Sequence, residues 1–380
     1  MTMTKTSERT KTGHTNGTSV PERRVQQLRT MMLIRRFEEK AAEMYAHGKI
    51  KGFLHLYIGE EAVAAGGIGA LHEDDYIVSH YREHGHALAR GLDPNAVMAE
   101  LAGKATGVSG GRGGSMHLFD VKKSFMGGYA IVAGHMPLAC GLALAEQYKG
   151  TDRIAVNFIG DGAVNEGEFH EALNLAAVWK LPVLFVCENN FYGMGTDTRR
   201  VSSVIEVYKR AQAYAMHAEQ VDGMDVDAVY STFSRLAARV RAGEGPAFIE
   251  AICYRFRGHS MADPEFYRDK AEVEQWRPLD PIVQLRARME AAGQIDAAAF
   301  DVLQHEVDET VNNAARFADE SPVPALETLE RNMIYEGLKK THWNKTKTAV
   351  ELGISRRNLI RKVTKYKLDQ RRMRAERPSS

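Results

Sequence analysis

The segment from residue 154 to residue 192 constrains the fold most strongly, because two short apolar runs there flank a stretch with helical spacing. The runs cover residues 154–159 and 182–187. Between them, apolar residues recur near helical spacing: Phe169, Leu173, Ala176, Ala177 and Trp179. This order of strand, helix and strand predicts a parallel βαβ unit. We therefore predict an α/β domain over residues 21–320, with a central parallel sheet flanked by helices.

Glycines and polar residues follow both apolar runs. Gly160, Asp161 and Gly162 come after the first run, and Asn190 and Tyr192 come after the second. Ligands of open parallel sheets bind at this carboxyl edge. Glycines let the backbone approach an anion, and carboxylate and amide oxygens suit a Mg²⁺ ion that also binds phosphates. The segment thus predicts a site for Mg²⁺ and a diphosphate.

Three other stretches offer candidate ligands or covers for such a site. An apolar run over residues 76–78 puts Tyr81 and Arg82 at a strand end, although a solvated arginine explains Arg82 equally well. A strand predicted over residues 246–255 leads into a loop that holds His259 and several arginines. The glycine-rich residues 103–117 form either a plain surface loop or one that closes over a site.

Two positions gain meaning only from their context. His55 lies among apolar residues, and taken alone this pattern fits a buried core histidine better than a catalytic one. A glycine pair leads into an apolar helix further along the chain. Three residues stand at the entrance of that helix: Ala130, Ile131 and Val132.

The cysteines indicate a reducing compartment. Cys140, Cys187 and Cys253 lie far apart within apolar segments, which favours buried thiols over disulfides. Residues 1–20 lack the apolar region of a secretory signal, and we interpret them as a disordered tail. No apolar run reaches membrane-spanning length. We expect a cytoplasmic protein that does not enter a membrane.

Eight motifs occur in an order that defines a family resemblance: HLYIGEEA, YREHGH, GRGGSMH, AIVAGHMPLACG, GDGAVNEG, AAVWKLPV, CENNFYGMGT and YRFRGHSMADP. With them, residues 23 to about 330 resemble the alpha subunit of the thiamine-diphosphate-dependent first component of 2-oxo acid dehydrogenase complexes. The RGHSMADP and AIVAG stretches are most similar to the pyruvate enzymes. Branched-chain 2-oxo acids and acetoin are the alternative substrates.

The resemblance implies a role for each candidate position. The Mg²⁺ ligands would be Asp161, the Asn190 side chain and the Tyr192 carbonyl. The diphosphate contacts would be Tyr81, Arg82, Gly162 and Ala163. The backbone of Ala130 and Val132 would contact the aminopyrimidine, and Ile131 would support the bent cofactor, although a glycine is usual where Ala130 stands. His55 and His259 would face the cofactor and the reacting centre. His259 would donate protons or stabilise charge during acyl transfer, a task suited to a group that titrates near neutrality.

The same resemblance implies partners. In this family the glutamate that activates the aminopyrimidine belongs to a beta subunit, so this chain would supply half of an active site. A heterotetramer of two alpha and two beta subunits is expected. Its substrates would be a 2-oxo acid and the lipoyl group of an acyltransferase.

The C-terminal region differs in charge from the rest of the chain. Residues 334–380 hold 14 lysines and arginines against 4 aspartates and glutamates, whereas the whole chain has a net charge of +1. Residues 338–368 resemble the helix-turn-helix of the Fis family, with Gly353 at the turn and Ser355 as N-cap. We predict a linker over residues 321–333, a helix-turn-helix over residues 334–370 and a basic tail over residues 371–380.

The second helix of this motif has an apolar and a basic face. Leu359, Val363 and Tyr366 share the inner face. The candidate contacts to duplex DNA are Arg356, Arg357, Arg361, Lys362 and Lys365. A solvated helix, or a segment that docks on an acidic protein, explains the same charges. An alternative for the whole chain is a DNA-binding regulator with a dehydrogenase-like sensor body, but the intact metal and histidine positions favour catalysis.

Overall fold

The computed structural model describes residues 19–368, which form two compact units that divide after Ser321. The predicted basic tail lies outside the described residues, and so does the predicted N-terminal tail up to residue 18. Ser19 and Val20, which we assigned to that tail, instead begin a helix, because Ser19 and Glu22 form a reciprocal capping box.

The first unit is built on a parallel sheet. Its strands are β1 (Tyr76–His80), β2 (Phe125–Tyr129), β3 (Ala155–Gly160), β4 (Val183–Asn189), β7 (His217–Asp222) and β8 (Ala247–Ile252). They run in the order β2-β1-β3-β4-β8-β7, and every neighbouring pair is parallel. A separate antiparallel pair consists of β5 (Tyr192–Gly193) and β6 (Thr196–Asp197). The predicted fold class is confirmed.

Helices cover both faces of this sheet. They are α1 (Val20–Ala46), α2 (Glu61–Gly69), α3 (His84–Ala89), α4 (Pro94–Leu101), α5 (Met136–Lys149), α6 (Gly167–Trp179), α7 (Thr198–Val201), α8 (Val207–Gln212), α9 (Val226–Arg241), α10 (Lys270–Trp276), α11 (Pro281–Ala291) and α12 (Ala297–Glu320). Val156 and Phe158 of β3 pack on the side of α1, α2 and α9, whereas Ala155 and Ile159 pack on the side of α5 and α6. No helix among residues 19–368 is both long and apolar enough to cross a membrane.

The strand register explains where a site can form. Ile159 pairs with Cys187 and Gly160 pairs with Glu188, so β3 and β4 end side by side. The turn after β3, which contains Asp161, therefore lies next to the segment after β4, which contains Asn190. The three cysteines are buried free thiols, as expected.

Residues 322–368 of the second unit form three helices, α13 (Leu326–Lys340), α14 (Lys345–Glu351) and α15 (Arg356–Lys365). The expected linker is wrong in extent, because α13 begins well inside residues 321–333. Gly353 adopts a φ of +63° at the turn, and the Ser355 hydroxyl accepts a hydrogen bond from the Asn358 amide. A small apolar core holds the helices together and contains Ile334, Leu338, Ala349, Leu359, Val363 and Leu368.

Candidate active site and candidate nucleic-acid interface

A cavity of about 350 Å³ opens at the carboxyl ends of β1, β3 and β4. Its lining includes eight of the predicted site residues: Tyr81, Arg82, Val132, Asp161, Gly162, Ala163, Asn190 and Tyr192. These residues come from separate stretches of sequence, and the parallel sheet brings them to one edge.

Asp161 is one of three buried carboxylates that line this cavity, with Glu60 and Glu188. One of its oxygens, Oδ2, accepts a hydrogen bond of 2.6 Å from the Thr198 hydroxyl. Burial raises the pKa of Asp161 to about 6, although Thr198 and Arg255 act in the opposite direction. A cation bound at this carboxylate would offset the cost of burying its charge, so Asp161 can serve as a ligand for a hard metal ion.

Asn190 is presented by a strained turn. Phe191, the next residue, has a φ of +70°, which is unusual for a residue other than glycine, and both Asn190 and Tyr192 line the cavity as a result. The Asn190 amide nitrogen donates to Oε1 of Glu60 at 2.8 Å. This bond assigns the nitrogen to Glu60 and leaves the amide oxygen, which accepts from the Tyr192 amide at 3.3 Å, as the atom able to ligate a cation.

Two buried guanidinium groups give the cavity an anion-binding side. Arg82 donates to the carbonyls of Leu56 at 2.7 Å and His259 at 2.9 Å, so its position is fixed. Arg255 also lines the cavity and donates to the Tyr267 hydroxyl at 3.0 Å. Burial and the charge of Arg255 lower the pKa of Arg82, and an anion placed between the two arginines would relieve this repulsion.

The backbone after β3 comes close to the hairpin that follows β4. A side chain at Gly162 would stand 3.2 Å from the Cα atom of Gly193, and Gly193 also lines the cavity. The absence of side chains at both glycines therefore lets the two backbone segments lie close together beside the cavity. The peptide groups there can approach a bound group, as expected for Gly162 and Ala163.

The two predicted catalytic histidines lie beside Tyr81 rather than in the cavity lining. The ring centres of His55 and His259 are 5.0 Å apart, and they lie 4.7 Å and 5.7 Å from that of Tyr81. Nδ1 of each histidine is buried and has no hydrogen-bond partner among residues 19–368. The structure brings together two residues that are separated by more than half of the chain.

The expectation that His259 titrates near neutrality is wrong for this arrangement. Burial, followed by the charge of Arg82, lowers the pKa of His55 to about 2 and that of His259 to about 3. Both imidazoles are neutral at pH 7, so each can accept or donate a single hydrogen bond at Nδ1 according to its tautomer.

The three residues predicted before α5 differ in their position relative to the cavity. Val132 lines the cavity, but Ala130 and Ile131 do not. The Ile131 side chain is 73% exposed. Exposed apolar residues continue from it along α5 to Tyr148, which is 92% exposed. An apolar surface of this kind beside a cavity marks an interaction site.

Several lining residues were missed by the sequence analysis, namely Glu60, His80, His135, Glu188, Thr198 and Arg255. Glu188 illustrates why. Burial alone would raise its pKa, but His86 and His80 lower it, and its oxygens accept from His80 at 2.6 Å and from His86 at 3.0 Å. The only available signal was position, since Glu188 directly precedes Asn189 and Asn190 at the strand end.

The basic face of α15 is present, with one correction. Arg356, Arg357 and Arg361 are exposed. Lys362 does not belong to the free face, because it forms an ion pair with Glu330 of α13 and only 20% of its side chain is exposed. The ammonium group of Lys365 lies 5.1 Å from the ring centre of Tyr366. The Tyr366 hydroxyl also bonds Glu330, so Tyr366 packs inward as predicted.

Comparisons with known proteins agree with the division of the chain into two units after Ser321. Residues 29–327 match the model of the family described as dehydrogenase E1 component, and residues 325–366 match that of the bacterial regulatory protein, Fis family. Over 310 residues the chain is 43% identical to the pyruvate dehydrogenase E1 component subunit alpha of Rickettsia bellii, an alignment that covers 82% of this chain and 95% of that protein.

Two further relatives carry the same description. The protein of Rhizobium meliloti is 44% identical over 307 residues, which cover 80% of this chain and 88% of the relative. The protein of Zymomonas mobilis is 44% identical over 308 residues, which cover 80% of this chain and 87% of the relative. The similarity therefore spans most of each relative, and about a fifth of this chain lies outside it.

Proposed function

The chain belongs to the dehydrogenase E1 component family, and on this premise we propose that it is the alpha subunit of a 2-oxo acid dehydrogenase decarboxylating component. Its substrate is pyruvate, which is oxidatively decarboxylated before the acetyl group passes to a lipoyl carrier. The names of the relatives favour pyruvate over branched-chain 2-oxo acids and acetoin. The observation that carries the proposal is the shared cavity of Asp161, Asn190 and Arg82.

The residues of this cavity fit a thiamine diphosphate bound through Mg²⁺. A carboxylate and an amide oxygen lie next to two guanidinium groups, which matches a cation that bridges protein and phosphates. The metal ligands would be Asp161, the Asn190 side chain and the Tyr192 carbonyl. The diphosphate would contact Tyr81, Arg82, Gly162 and Ala163, with Arg255 added. Ala130, Ile131 and Val132 would meet the rest of the cofactor.

When bound, thiamine diphosphate supplies the electron sink for breaking a carbon–carbon bond. The residues of this chain would position the cofactor and the substrate and would transfer protons. His55 and His259 are neutral, and their unpaired Nδ1 atoms can hold or pass a proton at the reacting centre. Arg82 binds the His259 carbonyl, so one residue fixes both the anion site and the loop that carries this histidine.

A beta subunit would complete the active site. The exposed apolar side chains of Ile131, Leu138, Leu144 and Tyr148 give α5 and the segment before it a surface suited to a protein partner. We propose a heterotetramer of two alpha and two beta subunits that works in the cytoplasm with a lipoyl-bearing acyltransferase. The buried thiols fit a reducing compartment.

Coexpression with a beta subunit tests this proposal. The purified pair should decarboxylate pyruvate in the presence of Mg²⁺ and thiamine diphosphate, and should do so faster than branched-chain 2-oxo acids. The chain alone should be inactive. Turnover by the chain alone would refute the proposal that it supplies only half of an active site. An equal rate with a branched-chain 2-oxo acid would refute the proposal that pyruvate is the substrate.

The Fis-like unit supports a second function, binding of duplex DNA. Three exposed arginines on α15, a helix capped by Ser355, form a face of the kind that enters a major groove. Units of this type usually act in pairs, and an assembly with two alpha subunits would supply two copies. Mobility shifts of the full chain with duplex DNA at low salt test this function, and no shift would leave a docking segment as the better explanation.

A further inference from the structure

The glycine-rich residues 103–117 are organised around one buried carboxylate. Glu100, at the end of α4, has no exposed surface. Its Oε2 accepts hydrogen bonds from the amides of Ser109 and Gly111, both at 2.8 Å. Its Oε1 accepts from the amides of Gly113 at 2.6 Å and Gly114 at 3.1 Å. Four backbone donors from one loop thus converge on a single side chain.

This arrangement is an anion-binding nest whose anion belongs to the protein. Successive amides can point inward because Gly110, Gly111 and Gly114 have φ values of +69°, +72° and +61°, which side chains disfavour. A side chain at Gly107 would overlap Glu100 itself. Because the carboxylate fills the nest, this loop does not offer those amides to a phosphate.

The ordered loop delivers Ser115 to the candidate active site. The Ser115 side chain is buried, and its hydroxyl lies 2.9 Å from Nε2 of His84 and 3.4 Å from the backbone nitrogen of His55. His84 is in turn bonded through Nδ1 to Glu38 at 2.9 Å. Ser115 therefore connects the loop to the backbone of a residue that faces the reacting centre.

We propose that Glu100 is a positioning residue, which orders the glycine-rich loop and thereby sets Ser115 against His84 and His55. Without this carboxylate, the four amides lose their acceptor, and six glycines regain a large conformational entropy. The loop then opens and Ser115 leaves His55. The ordering of the loop by Glu100 is independent of the proposed function. Only the effect of Glu100 on turnover rests on the proposed function.

Limited trypsin digestion of the full chain tests the ordering directly. Arg112 is exposed in the middle of the loop, so its peptide bond reports opening. Glu100→Gln keeps the size of the side chain and removes its charge. We expect cleavage after Arg112 to accelerate by about tenfold or more, since charge-assisted hydrogen bonds are removed. Glu146→Gln, which changes another buried glutamate bonded to Tyr76 and Thr151, should leave this cleavage unchanged.

Amide hydrogen exchange of the unaltered chain covers the case in which Glu100→Gln does not fold. The amides of Ser109, Gly111, Gly113 and Gly114 should be protected, although none of these residues lies in an α-helix or a β-strand. Fast exchange at these amides, or a Glu100→Gln chain as resistant at Arg112 as the unaltered one, overturns the proposal. Faster cleavage throughout the chain overturns it too, because the effect is then not local.

A double-mutant cycle with a beta subunit tests the link to His55. Ser115→Ala and Glu100→Gln should each lower kcat while KM for the 2-oxo acid stays close to normal, and their effects should not add in the double mutant. Additive effects would contradict an action of Glu100 through Ser115. An inactive unaltered pair refutes the proposed function and leaves the digestion and exchange results standing.

Discussion

The Thr198 hydroxyl donates a hydrogen bond of 2.6 Å to the Asp161 carboxylate, and these residues lie 37 positions apart in the chain. The Thr198 backbone amide donates to the Phe191 carbonyl at 3.0 Å, within the turn that presents Asn190. One threonine therefore ties the turn after β3 to the turn after β4. Thr198 thereby links the segments that carry Asp161 and Asn190, two of the three proposed Mg²⁺ ligands.

Replacing Asp161 by alanine should abolish Mg²⁺-dependent binding of thiamine diphosphate, because the carboxylate is the charged ligand of the proposed ion. Calorimetry with the full chain measures this affinity. The control is Asp197→Asn, since Asp197 bonds Arg199 and caps α7 rather than lining the cavity. Near-normal affinity of the Asp161→Ala chain would disprove the metal site.

Glu60→Ala should weaken Mg²⁺ binding by about tenfold or more, because the Asn190 amide nitrogen loses a charged acceptor and no longer fixes the amide oxygen. Glu60→Gln retains an acceptor oxygen at the same place and should weaken binding less. Titration of Mg²⁺ in the presence of thiamine diphosphate compares the two variants. Equal affinities for both would show that Glu60 does not orient Asn190.

His259→Ala should remain folded yet lose activity with the beta subunit by roughly 10²- to 10⁴-fold, the range typical of general acid–base groups. Its melting temperature should match that of the unaltered chain, because Nδ1 of His259 has no partner within residues 19–368 whose removal would destabilise the fold. His305→Ala, on the exposed surface of α12, is the control. Activity within a few-fold of normal would remove His259 from the catalytic group.

Glu83→Gln should stabilise the protein, and more so at pH 8 than at pH 5. Burial raises the pKa of Glu83 to about 8 from an ordinary value of 4.5. Between these values the folded chain keeps a proton that the unfolded chain loses, so stability falls as pH rises through this window. Melting temperatures at both pH values test this, with the exposed Glu73→Gln as control. An equal gain in melting temperature at both pH values would contradict a raised pKa of Glu83.

Replacing Arg356, Arg357 and Arg361 together by alanine should lower affinity for duplex DNA and flatten its salt dependence. The log–log slope should change by up to about 0.9 for each of these arginines that binds a phosphate. Mobility shifts over a salt series measure both quantities. The control replaces three exposed cations of the first unit: Lys270, Arg277 and Arg316. Lys362→Ala should act differently, by destabilising the unit, because Lys362 is bonded to Glu330.

Local sequence patterns were sufficient for the secondary structure around the site. The helical spacing between two apolar runs identified β3, α6 and β4. Glycine, carboxylate and amide residues at strand ends identified Asp161, Gly162 and Asn190, since parallel strands place such ends at one edge. These features depend on residues near one another in the chain.

What the sequence determined by itself is therefore the α/β class, the strand-end residues that meet in one cavity and the separate basic unit. Only the tertiary structure revealed that Glu60 orients Asn190, that Thr198 holds Asp161, that Glu100 fills the glycine-rich loop and that Lys362 turns inward. The physical reason is that a glutamate or threonine carries no local signal of the partner it will meet. Burial and hydrogen bonding between distant segments assign these roles, and both exist only once the chain is packed.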